Sequence, residues 1–158
     1  MIEIRRAMPH ESDKLTALAH AAKRHWNYPE EWIDSWKSEL TLTPEFITNH
    51  EVFVAITNDR IAGCSALVVS EGRAELEHMW IYPEQMGHGI GRALFRHISR
   101  RAAELGFGEL ELSADPNAEP FYERMGAQRI GEVPADIFGQ ARVLPRMRVD
   151  LAARQSSL

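Results

Sequence analysis

The stretch of residues 82–94 constrains the fold more than any other, because three alternating glycines separate a strand-like run from a helix-like run. Gly87, Gly89 and Gly91 follow the apolar run and directly precede an amphipathic pattern. Glycine tolerates positive φ and lets the backbone approach a ligand closely. A helix that begins there points its N–H groups and its positive dipole end at the turn. The stretch therefore predicts a strand, a phosphate-binding or pyrophosphate-binding loop, and a helix.

Two well-known phosphate loops fit this stretch poorly. A nucleotide-hydrolase loop needs a Lys after its last glycine, and no Lys follows these glycines. A dinucleotide-binding turn has its third glycine three residues after the second, where this chain has Arg92. Glu109 and Glu111 lie about where the ribose-binding acid of that turn would fall, so this alternative stays open. However, such a turn usually begins a domain, and about 80 residues precede it here.

Composition predicts one globular domain over residues 1–151, followed by a frayed tail at residues 152–158. The chain has 158 residues, 44% of them apolar and 26% charged, which is ordinary for a globular protein. No apolar run reaches the length of a membrane span, and the first residues lack the layout of a signal peptide. The single cysteine, Cys64, excludes an internal disulfide. Its apolar neighbours predict a small core residue, with a nucleophile as the alternative. We therefore expect a cytoplasmic protein with no membrane partner.

Charge is unevenly distributed along the chain. Residues 1–82 hold 8 basic and 13 acidic side chains, whereas residues 83–158 hold 10 of each, and all ten basic ones are arginines. Arginine binds phosphate through a planar fork, so the second half suits a phosphate-bearing ligand. The acidic first half repels nucleic acid and suits a cationic amine. Chance variation of surface charge would explain the same asymmetry.

Hydrophobic periodicity predicts a mixed α/β fold, with a mostly antiparallel sheet and one parallel strand–helix–strand crossover. Residues 57–60 and 71–73 carry turn signals. The predicted strands are residues 2–6, 51–56, 61–69, 74–82, 109–112, 128–130 and 142–151. The predicted helices are residues 11–24, a short helix carrying Trp32, Ile33 and Trp36, a helix capped by Thr43, and residues 90–105 and 119–125.

A second stretch decides between the types of loop. Residues 114–127 read Ala-Asp-Pro-Asn-Ala-Glu-Pro-Phe-Tyr-Glu-Arg-Met-Gly-Ala. With the glycine loop, they resemble the GNAT superfamily of acyl-CoA-dependent N-acetyltransferases, which combines a Gln/Arg-x-x-Gly-x-Gly loop with a downstream Asn…Phe-Tyr…Gly segment. The resemblance covers about residues 52–151. It departs from the family at Met86, which stands where Gln or Arg is usual, with Gln85 one place earlier.

The resemblance implies the GNAT fold, with helices flanking the sheet and a V-shaped splay between its two central strands. It places the acceptor side in residues 1–50 and the acetyl-CoA site in residues 51–151. The loop N–H groups would bind the pyrophosphate, Asn117 would bind the pantetheine arm, and Phe121, unless it is a core residue, would flank the coenzyme with Arg124. The implied coenzyme-binding residues are Met79, Trp80, Ile81, Met86, Gly87, His88, Gly89, Ile90, Gly91, Arg92, Asn117, Phe121 and Arg124.

The same resemblance implies direct attack of an amine on acetyl-CoA in a ternary complex. Tyr122 would be the general acid, because a phenol stays protonated at neutral pH; the alternative is a core tyrosine. Glu77 is the favoured general base. His78 is its rival, since strand alternation places the two side chains on opposite faces and a bulge would exchange them. A surface pair without catalytic function is the alternative for both residues.

The acceptor is the least determined part of the prediction. Trp26 and Tyr28 would bind an amine through their aromatic faces, with Glu77 as a carboxylate partner, unless these rings only pack helices onto the sheet. The acceptor is a small-molecule or peptide amine whose identity the sequence does not state. We expect no nucleic-acid partner and no metal, because the seven histidines lack paired ligand spacing. A homodimer is a family-level expectation. A non-catalytic acyl-CoA-binding or sensing module and a nucleotide-binding regulatory domain are the alternative functions.

Overall fold

The computed structural model describes residues 1–151, so the predicted tail at residues 152–158 lies outside the described residues. Over the described range, the strands are β1 (Glu3–Arg6), β2 (Glu51–Thr57), β3 (Arg60–Ser70), β4 (Arg73–Ile81), β5 (Glu109–Ser113), β6 (Gln128–Pro134) and β7 (Val143–Asp150). The helices are α1 (Ser12–Arg24), α2 (Glu30–Ser35), α3 (Pro44–Asn49), α4 (Ile90–Glu104) and α5 (Glu119–Arg124). Short 3₁₀ turns lie at Pro9–Glu11, Pro83–Gln85 and Pro116–Ala118.

The strands form a mixed sheet in the order β1-β2-β3-β4-β5-β7-β6. Antiparallel pairing joins β1 to β2, β2 to β3, β5 to β7 and β7 to β6. β4 and β5 pair in parallel at Glu75 and Glu111, and α4 connects them. This arrangement confirms the predicted mixed α/β sheet with one parallel crossover. A short parallel pairing is also what a splay between these two strands requires.

Tight turns set the register of the antiparallel strands. Asn58 and Asp59 have φ of 50° and 62° between β2 and β3, and Glu71 and Gly72 have φ of 52° and 73° between β3 and β4. Two consecutive residues with positive φ give the turn whose twist matches a two-residue hairpin. Asn, Asp and Gly adopt this conformation most readily, which is why the sequence signalled both turns.

Local chemistry also sets where several helices begin and end. The Thr43 hydroxyl accepts a hydrogen bond from the Phe46 N–H at 3.0 Å, and Pro44 occupies the first turn of α3. Gly106 and Gly126, with φ of 96° and 98°, follow the ends of α4 and α5. These caps confirm the predicted helices to within one or two residues.

The residues fall into two compact units. The first comprises residues 1–67 and 78–97. In its core, α1 buries Leu15, Leu18 and Ala19, which follow the predicted helical spacing. The rest of that core includes Ile33, Leu40, Leu42, Ile47, Val52, Val54, Cys64 and Ala66. Cys64 is therefore the small core residue that was predicted, and burial raises the pKa of its thiol to about 12, so it is a poor nucleophile.

The second unit, within the described residues, comprises residues 68–77 and 98–151. Its buried side chains alternate along the strands, as expected for a sheet with one covered face. Those on the strands include Leu76, Leu110, Leu112, Met147 and Val149, and the helices α4 and α5 bury Ile98, Ala102 and Tyr122. Leu110 lies opposite Val149, and Leu112 lies opposite Met147, in the antiparallel pair of β5 and β7.

Strand β6 was predicted to end at residue 130 but continues to Pro134. The register against β7 shifts between Arg129 and Gly131. Such a bulge lets a strand continue past a glycine that reads as a terminator. Beyond β6, a turn bridges Ile137 to Gln140, and its exposed residue Phe138 has φ of 47°.

Candidate active site

The glycine loop lies where the sequence predicted it, between the end of β4 and the start of α4. Gly87 and Gly89 have φ of 81° and 82°. Among the described residues, no heavy atom would lie within 4 Å of a Cβ added at either position. Glycine is therefore needed there for the backbone conformation and not for lack of space. The loop thus joins strand to helix through two residues in the left-handed region.

Helix α4 begins directly after Gly89. The first helical hydrogen bond is donated by the Ala93 N–H to the Gly89 carbonyl oxygen, at 3.0 Å. The N–H groups at the first positions of a helix have no acceptor within the helix, and they carry the positive end of its dipole. Here these are the N–H groups of Ile90, Gly91 and Arg92. The geometry is that of an anion site built from main-chain donors.

The side chains of the predicted coenzyme residues near this loop differ in exposure. His88 and Arg92 are exposed, and Met86 is half-buried. Ile90 is buried, with 1% of its surface exposed, so only its main chain remains for a ligand. Met79, Trp80 and Ile81 at the end of β4 are half-buried. A loop that binds through main-chain N–H groups does not depend on the family's Gln or Arg at the position of Met86.

The two predicted general bases lie on opposite sides of β4. Leu76 and His78 are buried, whereas Glu77 is exposed, as the period-two pattern predicted. His78 Nδ1 accepts a hydrogen bond from the Trp80 indole N–H at 2.8 Å, and the Phe46 ring packs edge-on against the imidazole at 5.4 Å. Burial lowers the pKa of His78 from 6.5 to about 4.

These contacts define the state of His78. Neutral imidazole carries one proton, so Nδ1 as an acceptor leaves the proton on Nε2. His78 could act as a base only by giving up the hydrogen bond from Trp80, and its pKa opposes protonation at neutral pH. The geometry therefore favours Glu77 over His78, and the role of either residue stays a prediction.

Tyr122, the predicted general acid, lies in the second unit. Its ring is buried and packs edge-on against Phe121, with 5.1 Å between the ring centroids. Burial, and to a lesser extent the charge of Asp115, raises the pKa of the phenol. The hydroxyl therefore carries its proton at neutral pH, as a general acid must. Phe121 is half-buried, and Asn117 and Arg124 are exposed.

Comparison with known proteins decides the family. The model of the acetyltransferase (GNAT) family matches residues 15–127, which is most of the chain. The chain belongs to the GNAT acetyltransferase family. The match contains both the glycine loop and the Asn117–Tyr122 segment, the two stretches on which the resemblance was based.

Solved structures agree with this GNAT fold. A GCN5-related N-acetyltransferase from Rhodopseudomonas palustris superposes with a TM-score of 0.78 at 17% identity, covering 94% of each chain. The PaiA N-acetyltransferase from Thermoplasma acidophilum, in complex with coenzyme A, gives a TM-score of 0.75 at 21% identity, covering 95% of this chain and 99% of that one. YncA from Salmonella typhimurium, with acetyl-CoA, gives 0.68 at 17% identity, covering 96% of this chain and 94% of that one. At these identities the likeness establishes the fold alone.

Aromatic residues of this GNAT chain cluster around α2. Tyr28 stacks on Trp32 and meets Trp36 edge-on, with centroid distances of 5.8 and 5.1 Å. The Lys23 ammonium lies over the rings of Tyr28 and Trp36, at 5.2 and 4.5 Å. Trp26, with 38% of its surface exposed, instead contacts His25 at 4.9 Å. The rings of Tyr28 and Trp36 thus contact a cation of the protein itself. The role of Trp26 and Tyr28 in binding an acceptor stays a prediction.

Gly63 on β3 lies against the glycine loop, although the sequence did not predict a role for it. A Cβ at Gly63 would lie 2.7 Å from Ile81 Cδ1, 2.9 Å from the Trp80 carbonyl oxygen and 3.2 Å from Ile90 Cγ2. The Tyr82 N–H also donates to the Ala62 carbonyl oxygen at 3.0 Å. β3 therefore supports the chain on both sides of the GNAT glycine loop. The available signal was a lone glycine inside a strand pattern, which often marks a close backbone approach.

A charged cluster around Arg146 was also missed. Its guanidinium donates to both carboxylate oxygens of Glu75, to Glu111 at 2.9 Å and to the Ser113 hydroxyl at 3.0 Å. The hydrogen bond to Glu75 is the largest cause that raises the pKa of Arg146, and the hydrogen bond to Glu111 raises it further. The cluster links β7 to the paired strands β4 and β5. Its member Glu75 lies two residues before Glu77 on β4. Glu75 and Arg146 are 71 residues apart, so no local pattern signals this contact.

No group of three or more His, Cys, Asp or Glu side chains among residues 1–151 is arranged to hold a metal ion. None of the helices in the same range has the length and apolar character of a membrane span.

Proposed function

We propose that this GNAT protein is an N-acetyltransferase, which transfers the acetyl group of acetyl-CoA to the primary amine of a small molecule or peptide. One observation carries the proposal. In a chain of this family, a loop with Gly87 and Gly89 at positive φ leads from β4 into the N-terminus of α4. Main-chain N–H groups and the dipole of a helix at such a junction favour a pyrophosphate. Two solved relatives by fold contain coenzyme A or acetyl-CoA.

The chemistry consists of one acyl transfer and three proton transfers. A cationic amine must lose a proton before its lone pair attacks the thioester carbonyl carbon. As the new C–N bond forms and the C–S bond breaks, the nitrogen releases its second proton to water and the departing thiolate takes a proton. We propose that Glu77 accepts the first proton of the amine and that Tyr122 donates the proton to the thiolate. Groups placed for such transfers commonly contribute about 10²–10⁴-fold each.

The exposure of Glu77 supports its assignment as the base. Glu77 is exposed on β4 and therefore accessible to an amine, whereas His78 is buried and its Nδ1 accepts from Trp80. Tyr122 has a raised pKa, which keeps its proton available until the thiolate forms. The acidic character of residues 1–82 suits a cationic acceptor.

Thermal unfolding with acetyl-CoA, CoA, NAD or ATP tests the proposal. A ligand at 100 times its Kd stabilises by about 2.7 kcal/mol, which corresponds to a Tm increase of roughly 5–10 °C for a chain of this size. We expect this increase with acetyl-CoA and CoA. Stabilisation by neither would refute the proposal, and stabilisation by NAD or ATP alone would favour a nucleotide-binding domain.

Gly89→Ala locates the site. A Cβ at φ of 82° is strained and should distort the loop, so the stabilisation by CoA should fall. Gly72→Ala is the matched control, because Gly72 has φ of 73° and equally open space in the turn between β3 and β4. If both variants lose the stabilisation by CoA equally, the glycine loop is not the coenzyme-binding site.

The alternative is a non-catalytic acyl-CoA-binding module, and the burial of Tyr122 favours it because a buried hydroxyl also suits a purely structural tyrosine. Mass spectrometry separates the two functions. Incubation with acetyl-CoA and pooled amines should produce an acetylated amine, whose mass identifies the acceptor class. Binding of acetyl-CoA without any acetylated product from polyamines, amino acids, aminoglycosides and peptides would favour the binding module.

A further inference from the structure

Asp115 organises the segment between β5 and α5. Its Oδ1 accepts hydrogen bonds from the Asn117 backbone N–H at 2.8 Å and from the Asn117 side-chain Nδ2 at 3.0 Å. The first bond caps the 3₁₀ turn Pro116–Ala118. The second determines which way the amide of Asn117 faces, because its amino group points at Asp115 and its carbonyl oxygen points away. One carboxylate oxygen thus restrains both the main chain and the side chain of Asn117.

Arg142 forms an ion pair with the other oxygen of the Asp115 carboxylate. Arg142 Nη2 lies 3.4 Å from Asp115 Oδ2, and the two side chains are only 11% and 13% exposed. The main chain of Arg142 is itself anchored: its N–H donates to Asp136 Oδ1 at 3.2 Å, and its carbonyl oxygen accepts from the Ala135 N–H at 2.7 Å. The segment before α5 is therefore tied to the connection between β6 and β7 by a partly buried ion pair.

The same carboxylate lies within electrostatic reach of Tyr122. The charge of Asp115 contributes, after burial, to the raised pKa of the phenol. Asn117 and Tyr122 are the residues assigned above to the pantetheine arm and to proton donation. Asp115 thus contacts one of them directly and influences the other through its charge.

We propose that Asp115, held by Arg142, is a positioning residue of the acetyltransferase, which orients the Asn117 amide so that its carbonyl oxygen accepts a hydrogen bond from an amide N–H of the coenzyme's pantetheine arm. This inference rests on the proposed function. Neither Asp115 nor Arg142 needs to contact the coenzyme. The sequence contained Asp115 within the second stretch but offered no role for it, because its partner Arg142 is 27 residues away.

Asp115→Ala and Asp115→Asn test the proposal in the full chain. Asp115→Ala removes both hydrogen bonds to Asn117, and we expect the Kd for CoA to rise about tenfold, as loss of one or two ordered hydrogen bonds implies. Asp115→Asn keeps an oxygen acceptor at the same place, so the Kd should return to within about threefold of the original protein. The KM for the amine acceptor should stay unchanged in both variants, while the KM for acetyl-CoA follows the Kd.

Arg129→Gln is the matched control. Arg129 donates to both carboxylate oxygens of Glu119, the first residue of α5, at 2.8 and 2.9 Å. Its removal breaks an ion pair to the same helix without touching Asn117. If Asp115 merely anchored this part of the chain, Arg129→Gln and Asp115→Ala would weaken CoA binding equally. That result, or an unchanged Kd in Asp115→Ala, would overturn the proposal.

A readout without coenzyme separates this inference from the proposed function. The ¹H–¹⁵N signals of the Asn117 backbone and side-chain amides should shift in Asp115→Ala and stay nearly in place in Arg129→Gln. Unmoved Asn117 signals in Asp115→Ala overturn the positioning role, whether or not the protein binds CoA. If the Asn117 signals move in Asp115→Ala but the original protein binds neither CoA nor acetyl-CoA, the contact between Asp115 and Asn117 is real. Its role in coenzyme binding and the proposed function are then both overturned.

Discussion

The buried imidazole of His78 should make the stability of this protein depend on pH in a way that one substitution removes. His78 is 8% exposed, and burial lowers its pKa from 6.5 to about 4. Between these values the unfolded chain binds a proton that the folded chain does not. The free energy of unfolding therefore falls as pH decreases, because protons favour the state that binds more of them. The stabilisation is complete above pH 6.5 and is lost by about pH 4.

The size of the effect follows from the same two pKa values. At 1.36 kcal/mol for each pKa unit, the difference between about 6.5 and about 4 is worth about 3 kcal/mol. His78→Asn removes the titrating group and keeps an oxygen acceptor near the position of Nδ1, where the Trp80 indole donates. The variant will be less stable at pH 7.5, because the smaller side chain leaves a cavity beside Phe46. The test of the His78 pKa is therefore the pH dependence of the free energy of unfolding and not its value at pH 7.5.

Urea unfolding followed by tryptophan fluorescence between pH 7.5 and pH 4 measures this dependence. From the higher to the lower pH, the original protein should lose about 3 kcal/mol more than His78→Asn. His88→Asn removes an exposed histidine and is the matched control, which should retain the loss of stability that His78 causes. If the free energy of unfolding depends on pH in the same way in the original protein and in His78→Asn, His78 is not held neutral in the folded state. The buried environment and the hydrogen bond from Trp80 would then not describe this imidazole.

Three further predictions concern the site and its support. Gly63→Ala should lower the free energy of unfolding in urea by about 1–3 kcal/mol, because the added Cβ would lie 2.9 Å from the Trp80 carbonyl oxygen; Gly108→Ala, in open space, is the control, and equal stability of the two variants would contradict the crowding. Tyr122→Phe should lower kcat for acetyl transfer by about 10²-fold or more with little change in the Kd for CoA, and unchanged turnover would remove its role as the acid. Glu77→Gln should lower kcat/KM at neutral pH by about 10²–10⁴-fold, whereas His78→Asn should keep most of the activity; the reverse result would exchange their roles.

Much of the fold was predictable because its signals are local. A positive φ at two consecutive positions requires residues such as Asn58 and Asp59, and a helix start selects a residue such as Thr43, whose side chain accepts a backbone N–H. Alternation of residue types along β4 is enough to place Glu77 and His78 on opposite faces. Such features depend on the conformation of a few neighbouring residues, and the residue types record that conformation directly.

The extent of β6 shows where local signals fail. The predicted strand ends at residue 130, yet the pairing with β7 continues past Gly131 after a shift in register. Whether a strand continues depends on the hydrogen bonds that its partner offers, and that partner is β7, a separate part of the chain. The role of Trp26 and Tyr28 was left open for a similar reason. Ring contacts, including the position of the Lys23 ammonium, depend on how α1 and α2 pack.

The sequence by itself determined the glycine loop, the strand and helix that flank it, and the family. These depend on residue type and short spacing, since only glycine readily adopts the φ of Gly87 and Gly89. The tertiary structure alone decided the environment of the functional side chains. Three features depend on groups that only the fold brings together. They are the neutral state of His78, the close approach of β3 at Gly63 and the ion pair between Arg142 and Asp115. Burial and steric contact act over a few ångströms and electrostatic interactions over roughly 10 Å. Chain folding sets which residues lie within that range.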